Sequence, residues 1–138
     1  MNPFKKFYAY LHLRWAVRLA DKAYKERPQR YYVLRGENGN LIVSDRRNFR
    51  GLRQKRWIKD RDHNVNLKEL AGKSFYYTPY TNGDGVMPRS EYLAKMVIYF
   101  GWWEESRMQW KQTKRAKKAA AKAKKAKERQ RKREARRQ

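Results

Sequence analysis

The stretch KRAKKAAAKAKKAKERQRKREARR, from Lys114 to Arg137, sets the strongest limit on what this chain can fold into. Its only apolar residue is alanine, so it has no large side chain to bury in a core. It contains neither Gly nor Pro, and nearly all of its residues are strong helix formers. We therefore expect an exposed helix here and a hydrophobic core built from the preceding residues.

Positive charge is spread over the whole chain rather than confined to that stretch. Residues 111–138 hold 15 Lys and Arg against two Glu, and residues 1–110 hold 22 against 11 acids. The formal net charge of +24 repels other copies of the chain and attracts polyanions, among which nucleic acid is the commonest partner. The alternative is that the charged stretch is a solvated extension with no partner.

The aromatic residues mark the folded part. Five Trp, ten Tyr and five Phe are present, and Trp110 alone lies beyond residue 103. These rings are enough to build a core despite the charge. We predict two parts: a small, basic, aromatic-rich α+β domain at residues 1–110 and a Lys/Arg/Ala-rich helical extension at residues 111–138.

The N-terminal residues predict a helix that ends before Pro28. Asn2 and Pro3 form an N-cap followed by a first-turn proline. Two sets of apolar residues then recur at helical spacing on adjoining faces. The first set is Phe4, Phe7, Tyr8, Leu11 and Trp15, and the second set is Tyr10, Leu13, Val17, Ala20 and Tyr24.

A helix with aromatic rings and flanking cations could also lie on an anionic membrane. We favour a core helix, because the apolar coverage is broad and the predicted strands need a surface to pack on. No stretch reaches the ~18 apolar residues of a membrane span, and the start lacks a clean secretory signal. A transit peptide stays open, because the first acidic residue is Asp21.

The middle of the chain predicts a hairpin and short helices. Tyr31–Leu34 and Leu41–Val43 are β-rich and flank a turn containing Asn38-Gly39. Ser44 or Asp45 is expected to cap a short basic helix whose inward residues are Phe49 and Leu52. After a polar loop, Asn66 and Glu69 resemble a capping box for a helix that Gly72 would close.

The remaining elements are a candidate third strand and one long helix. The strand lies in KSFYYTPY, where Pro79 keeps it at a sheet edge. The helix begins near Ser90, and nothing after Gly101 stops it before residue 138, so its length would be roughly 73 Å. We expect it to protrude from the domain, anchored by an apolar stripe of Leu93, Met96, Val97, Phe100 and Trp103.

Two groups of cations form the predicted nucleic-acid-binding site. Six of them fall within 11 positions of the short basic helix, too many for the nearby acids to match. The rest lie on the C-terminal helix, where an alanine stripe (Ala116, Ala119, Ala120, Ala123 and Ala126) gives way to cations all round. The predicted residues are Arg46, Arg47, Arg50, Arg53, Lys55, Arg56, Lys114, Arg115, Lys117, Lys118, Lys122, Lys124, Lys125, Lys127, Arg129, Arg131, Lys132, Arg133, Arg136 and Arg137.

Cations also alternate with aromatic residues in RYYVLRG, RRNFRGLRQKRW and KSFYYTPY. Exposed rings of this kind can stack on unpaired bases while the cations bind phosphate. The competing interpretation is that most of these rings belong to the core.

We find no pattern that indicates an enzyme. Asp60, Asp62 and His63 could be imagined as a metal-dependent nuclease site, but such residues are more often ordinary polar loop residues. YYVLRGENG has a faint similarity to the first strand of GIY-YIG nucleases, whose other motifs cannot be placed. TNGDG lacks the spaced acids of a calcium loop, and there is no P-loop or dinucleotide fingerprint. There is no cysteine for a thiolate site or disulfide.

Three stretches carry a resemblance: NPFKKFYAYLHLRWAVRLAD, VSDRRNFRGLRQKRWI and FYYTPYTNG. They resemble short basic proteins of unknown function from Bacteroidetes and their phages, including crAss-like phages. The resemblance covers about residues 2–105 and omits the charged stretch. It implies a mobile-element or virion setting and carries over no catalytic or binding residues.

The resulting hypothesis is a non-enzymatic nucleic-acid-binding protein within a larger assembly, such as a phage particle or a ribosome-like complex. The expected partners are a DNA or RNA backbone and other proteins of that assembly, with no cofactor, metal, membrane or small-molecule substrate. The location would be cytoplasmic or virion-associated. The alternative is a virion or scaffold protein whose long helix docks on acidic protein partners.

Overall fold

A computed structural model describes residues 1–49 and 69–137 of the chain. Helix α1 spans Pro3–Glu26, strand β1 Tyr31–Arg35 and strand β2 Leu41–Asp45. Residues 46–49 are helical. Helix α2 spans Leu70–Lys73, strand β3 Tyr76–Tyr77 and helix α3 Arg89–Arg137. These elements confirm the α+β class. Two compact units are present, Met1–Ser106 and Arg107–Gln138.

Helix α1 begins where its capping residues predict. The Asn2 side chain accepts a hydrogen bond from the Phe4 amide at 3.0 Å, and Pro3 occupies the first helical position, where no amide hydrogen is needed. The helix ends at Glu26, two residues before Pro28.

The hairpin is confirmed and becomes part of a three-stranded antiparallel sheet of order β2-β1-β3. Asn38 and Gly39 both have positive φ, of 58° and 81°, in the turn that joins β1 to β2. This backbone is the reason for the Asn-Gly pair. Strand β3 lies at the edge, directly before Thr78 and Pro79, as the proline predicted.

Both faces of the sheet are covered, because the buried residues of β1 point alternately to two clusters. Val33 packs with Phe75, with small residues of α1 and with Tyr99 and Trp103 of α3. Tyr32 and Leu34 pack on the other face with a second cluster of buried residues. That cluster also contains Phe49, Leu70, Tyr77 and Met87.

Only one of the two predicted apolar faces of α1 points to the core. Leu13, Val17 and Ala20 of the second set are buried, together with Ala9 and Ala16. The first set is exposed throughout, with Phe4 84% and Trp15 69% accessible. A helix turns only one face to a sheet, and the alanine-rich face allows closer packing than the bulky aromatic one.

The predicted stripe of α3 is also partly wrong. Leu93 and Val97 are exposed, Met96 and Phe100 are half-buried, and Trp103 alone is buried. The residues that point inward are Lys95, Tyr99 and Trp103. Tyr99 is fully buried, and its hydroxyl donates to the Ala9 carbonyl at 2.7 Å. That bond satisfies the hydroxyl of a buried ring at a position that the predicted stripe left out.

Two predicted caps have different outcomes. Asp45, rather than Ser44, caps the helical residues 46–49, since its Oδ1 accepts a hydrogen bond from the Asn48 amide at 2.7 Å. Gly72 does not close α2, because it lies inside the helix and the Ser74 amide donates to the Leu70 carbonyl at the true end. Asn66 and Leu52 lie outside the described residues.

Candidate nucleic-acid interface

The predicted cations of residues 114–137 all lie on the surface of α3. Every residue from 111 to 137 is exposed, so each of these side chains can meet a large polyanion. The alanines of the predicted stripe are exposed as well. A helix of this composition is stabilised by the propensity of its residues and by its own backbone hydrogen bonds.

Five of these cations follow one side of the helix. They lie at steps of three or four residues along a shallow groove, which places neighbours about 4.5 to 6 Å apart along the axis. Further cations lie away from this row, as the prediction of charge on all sides required. The row consists of Lys122, Lys125, Arg129, Arg133 and Arg137, and its groove is completed by Ala126, Gln130 and Glu134.

One predicted cation also has a local role. The Lys114 ammonium lies 5.1 Å from the centroid of the Trp110 ring, and the Arg107 guanidinium lies 5.8 Å from the same ring. These residues are spaced three and four positions apart, so they occupy one face of the helix. The indole is thereby flanked by cations on both sides along the helix.

The second predicted cationic group begins just after β2. Arg46 and Arg47 are exposed in the turn that Asp45 caps. Arg50, Arg53, Lys55 and Arg56 lie outside the described residues. The phosphate-binding role of this segment therefore stays a prediction.

Four of the seven interleaved aromatic residues within residues 1–49 and 69–137 are buried in the core, and one neighbouring cation is held between two rings. Arg30 lies between two rings, with its guanidinium carbon 4.3 Å from the Tyr77 centroid and 3.8 Å from the Tyr80 centroid. Its Nε donates to the Thr78 carbonyl at 2.9 Å, and its Nη2 donates to the Gly85 carbonyl. These contacts make Arg30 a brace between β1 and the loop after β3.

Arg35 follows the same principle at the other end of β1. Its guanidinium carbon lies 4.8 Å from the centroid of Phe75, a buried ring of the first core cluster. Of the rings in RYYVLRG and KSFYYTPY, Tyr32, Phe75 and Tyr77 are buried. The core interpretation therefore holds for these three, and they are not available to stack on bases.

An ion pair between buried Lys95 and half-buried Glu91 connects α3 to the second cluster. The Lys95 ammonium lies 3.3 Å from the Glu91 carboxylate and donates to the Ala71 carbonyl. The Tyr77 hydroxyl donates to the same carboxylate at 2.6 Å. That hydrogen bond lowers the pKa of Glu91, and burial lowers the pKa of Lys95 against the opposing effect of Glu91.

Two tyrosines have strongly raised pKa values. Burial, reinforced by the hydrogen bond to Glu91, raises the pKa of Tyr77 to about 12. Burial, reinforced by a 2.6 Å hydrogen bond to Asp21, likewise raises the pKa of Tyr76. Sequence reasoning missed Glu91, Lys95 and Asp21, whose only local indication was the i,i+4 spacing of Glu91 and Lys95.

The described residues contain no cluster of side chains suited to binding a metal ion. No group of three His, Asp or Glu that could hold a metal occurs within residues 1–49 and 69–137. In the loop at TNGDG, Asn82 and Asp84 are hydrogen-bonded to each other, and the Gly83 amide donates to the Tyr80 carbonyl. Asp60, Asp62 and His63 lie outside the described part. Within residues 1–49 and 69–137, no helix is long and apolar enough to cross a bilayer.

Comparison with protein-family models, with curated proteins and with solved structures finds no match to this chain.

Proposed function

We propose that this protein is a non-enzymatic nucleic-acid-binding component of a larger nucleoprotein assembly, such as a phage particle or a ribosome-like complex. The observation that carries the proposal is the distal half of α3, where every residue from 111 to 137 is exposed and 15 are cationic. The helix supplies most of the binding free energy through its contacts with phosphates.

Counterion release explains why such a helix binds without reading sequence. Each cation that neutralises a phosphate releases a condensed counterion, so affinity depends on how many contacts form and falls steeply with salt. With ~7 contacts to duplex DNA, the plot of log K against log salt has a slope near −6. Charge on all sides of the helix suits phosphates approaching from several directions better than a single groove with one base-reading face.

The segment from Arg46 to Arg56 is the second contact in this proposal. Arg46 and Arg47 are exposed beside the sheet and mark the start of this surface. Anchored on the folded unit, they fix the position of the protein on the nucleic acid, whereas the α3 cations supply affinity. The helix propensity of the distal segment limits the entropy lost on binding.

The test is a salt titration of full-length protein binding to duplex DNA. The variant K122Q/K125Q/R129Q/R133Q/R137Q removes the cationic row while keeping good helix formers. Each lost phosphate contact reduces the magnitude of the slope by about 0.9. We expect a reduction of about 4 if most of the row touches phosphate.

A matched variant removes the same charge from four exposed positions on α1 and from exposed Arg27, which directly follows the helix. It is K5Q/R18Q/K22Q/K25Q/R27Q, and it leaves the salt slope close to that of the wild type. If the two variants reduce the slope equally, the interaction depends on net charge alone and α3 has no special role.

The scaffold alternative makes a different prediction for the purified assembly. If α3 docks on acidic protein, nuclease digestion leaves the protein attached to its partners. If α3 binds nucleic acid, digestion releases the protein, and the ratio of its absorbance at 260 nm to that at 280 nm falls to that of a protein free of nucleic acid.

A further inference from the structure

Helix α1 carries two apolar faces, and the core uses one of them. The buried residues Ala9, Leu13 and Ala20 define the inward face. Large side chains at positions 4, 7, 8, 11, 15 and 19 recur at three- and four-residue steps on roughly the opposite side, at 100° per residue. They are all exposed: Phe4, Phe7, Tyr8, Leu11, Trp15 and Leu19. We call these six side chains the outer aromatic face.

Cations continue this face toward the end of the helix. Arg18, Lys22 and Lys25 are exposed and project on the same side as Phe4 and Leu11, at 100° per residue. The acids of α1 are Asp21 and Glu26, and Asp21 accepts a hydrogen bond from the Tyr76 hydroxyl. The outer surface thus combines apolar rings over its first four turns with positive charge over its last turns.

From this arrangement we infer that α1 binds an anionic lipid surface, with its axis in the plane of the bilayer interface. Trp and Tyr prefer the headgroup level, Phe and Leu reach the acyl chains, and the three cations meet anionic headgroups. The expectation of no membrane partner came from assigning all of α1 to the core. The structure leaves the outer aromatic face exposed for this contact, with the Tyr8 ring also 6.2 Å from the ring of buried Trp103.

Other occupants fit this surface less well. A second copy would bring together two chains of net charge +24, with Arg18, Lys22 and Lys25 of each on the shared surface. Unpaired bases would stack on the rings but gain little from Leu11 and Leu19, which have no aromatic face. The inference does not depend on the proposed nucleic-acid binding by α3.

The test uses full-length protein and vesicles of phosphatidylcholine with phosphatidylglycerol in co-sedimentation. Because the α3 cations also attract anionic vesicles, binding is measured at physiological salt and at ~1 M salt, where the Debye length is about 3 Å. The variant F4Q/F7Q/W15Q removes three exposed side chains at little cost to folding. It should lose at least about tenfold in partitioning at ~1 M salt.

A matched variant removes three exposed apolar side chains outside α1: V86Q/I98Q/M108Q. It should partition like the wild type. Trp15→Phe should bind normally but lose the blue shift that its indole shows on entering the interface. At physiological salt, wild-type protein should prefer these vesicles to pure phosphatidylcholine vesicles, and R18Q/K22Q/K25Q should weaken that preference.

Three results overturn the inference. Equal binding of wild type and F4Q/F7Q/W15Q to vesicles would show that the outer aromatic face does not contribute and that α3 accounts for the binding. No partitioning of wild type at ~1 M salt would leave an apolar protein surface as the partner. If F4Q/F7Q/W15Q lost affinity for a single-stranded oligonucleotide but not for vesicles, the face would be a surface on which unpaired bases stack.

Discussion

The same kinds of side chain do different work in the two units of this molecule. In Met1–Ser106, Arg30 is held between Tyr77 and Tyr80, and Lys95 is bonded to Glu91 and a carbonyl. In Arg107–Gln138, the cations of residues 111–137 are exposed on a single helix. A count of Lys and Arg therefore says little about polyanion binding until the rings and carbonyls within their reach are known.

The largest effect should separate the two units by their stability. Tyr99→Ala removes a fully buried ring and its hydrogen bond to Ala9, so the free energy of unfolding should fall by about 3–5 kcal/mol. Near-UV circular dichroism during urea unfolding measures this change. Tyr99→Phe, which keeps the ring, should lose about 1 kcal/mol. If Tyr99→Ala were neutral, the assigned core would be wrong.

Removing a held cation should have the next largest effect. Arg30→Ala deletes contacts with two rings and hydrogen bonds to two carbonyls, at a cost of about 2 kcal/mol. Arg30→Lys keeps the charge but not the planar donor group, and should recover less than half of that loss. Full recovery in urea unfolding would mean that charge alone matters at this position.

Alkaline pH should weaken the first unit through its buried hydroxyls. The pKa of Tyr77 is raised from 10.0 to about 12, so its contribution to stability is complete below pH 10 and is lost as pH rises toward 12. Between pH 9 and 11 this one group should remove about 1 kcal/mol. Urea unfolding of wild type and Tyr77→Phe at both pH values measures the difference.

Comparing the wild type with Tyr77→Phe also separates the effect of Tyr77 ionisation on stability from that of neighbouring groups. The lowered pKa of Lys95 acts in the opposite sense, because stability then rises with pH just below 10.5. Both proteins retain Lys95, so its effect largely cancels. Identical pH slopes for the two proteins would contradict the raised pKa of Tyr77.

The smallest effect should come from a cation on the distal helix. Arg133→Gln changes an exposed residue for another good helix former, so the free energy of unfolding should stay within about 0.5 kcal/mol of the wild type. Its salt slope for duplex DNA should nevertheless weaken by about 0.9 if Arg133 meets a phosphate. If Arg133→Gln lost as much stability as Arg30→Ala, exposed cations of the distal helix would not differ from cations held by rings and carbonyls.

Features with a local physical cause could be predicted from the sequence. The start of α1 at Asn2-Pro3 and the turn at Asn38-Gly39 are set by neighbouring residues, and both are confirmed. The bounds of α3 follow from a run of helix formers without an internal stop. Each of these depends on backbone preferences that act within a few positions.

Features that depend on distant residues could not be predicted in this way. Arg30 meets Thr78 and Gly85 across some 50 positions, and no spacing rule brings them together. Helix α1 is apolar on two sides, so periodicity alone could not choose the alanine-rich face. For the candidate interface, the sequence located the cations of α3, whereas the binding role of every cation stays a prediction.

Because residues 111–137 are exposed and trypsin cleaves after Lys and Arg, the distal helix contains a series of accessible trypsin sites. Cleavage requires a few residues to open into an extended form, which an exposed helix does more readily than a packed one. Any ligand that covers the helix will slow this digestion. The rate of trypsin cleavage at each Lys and Arg therefore reports which part of the helix a ligand covers.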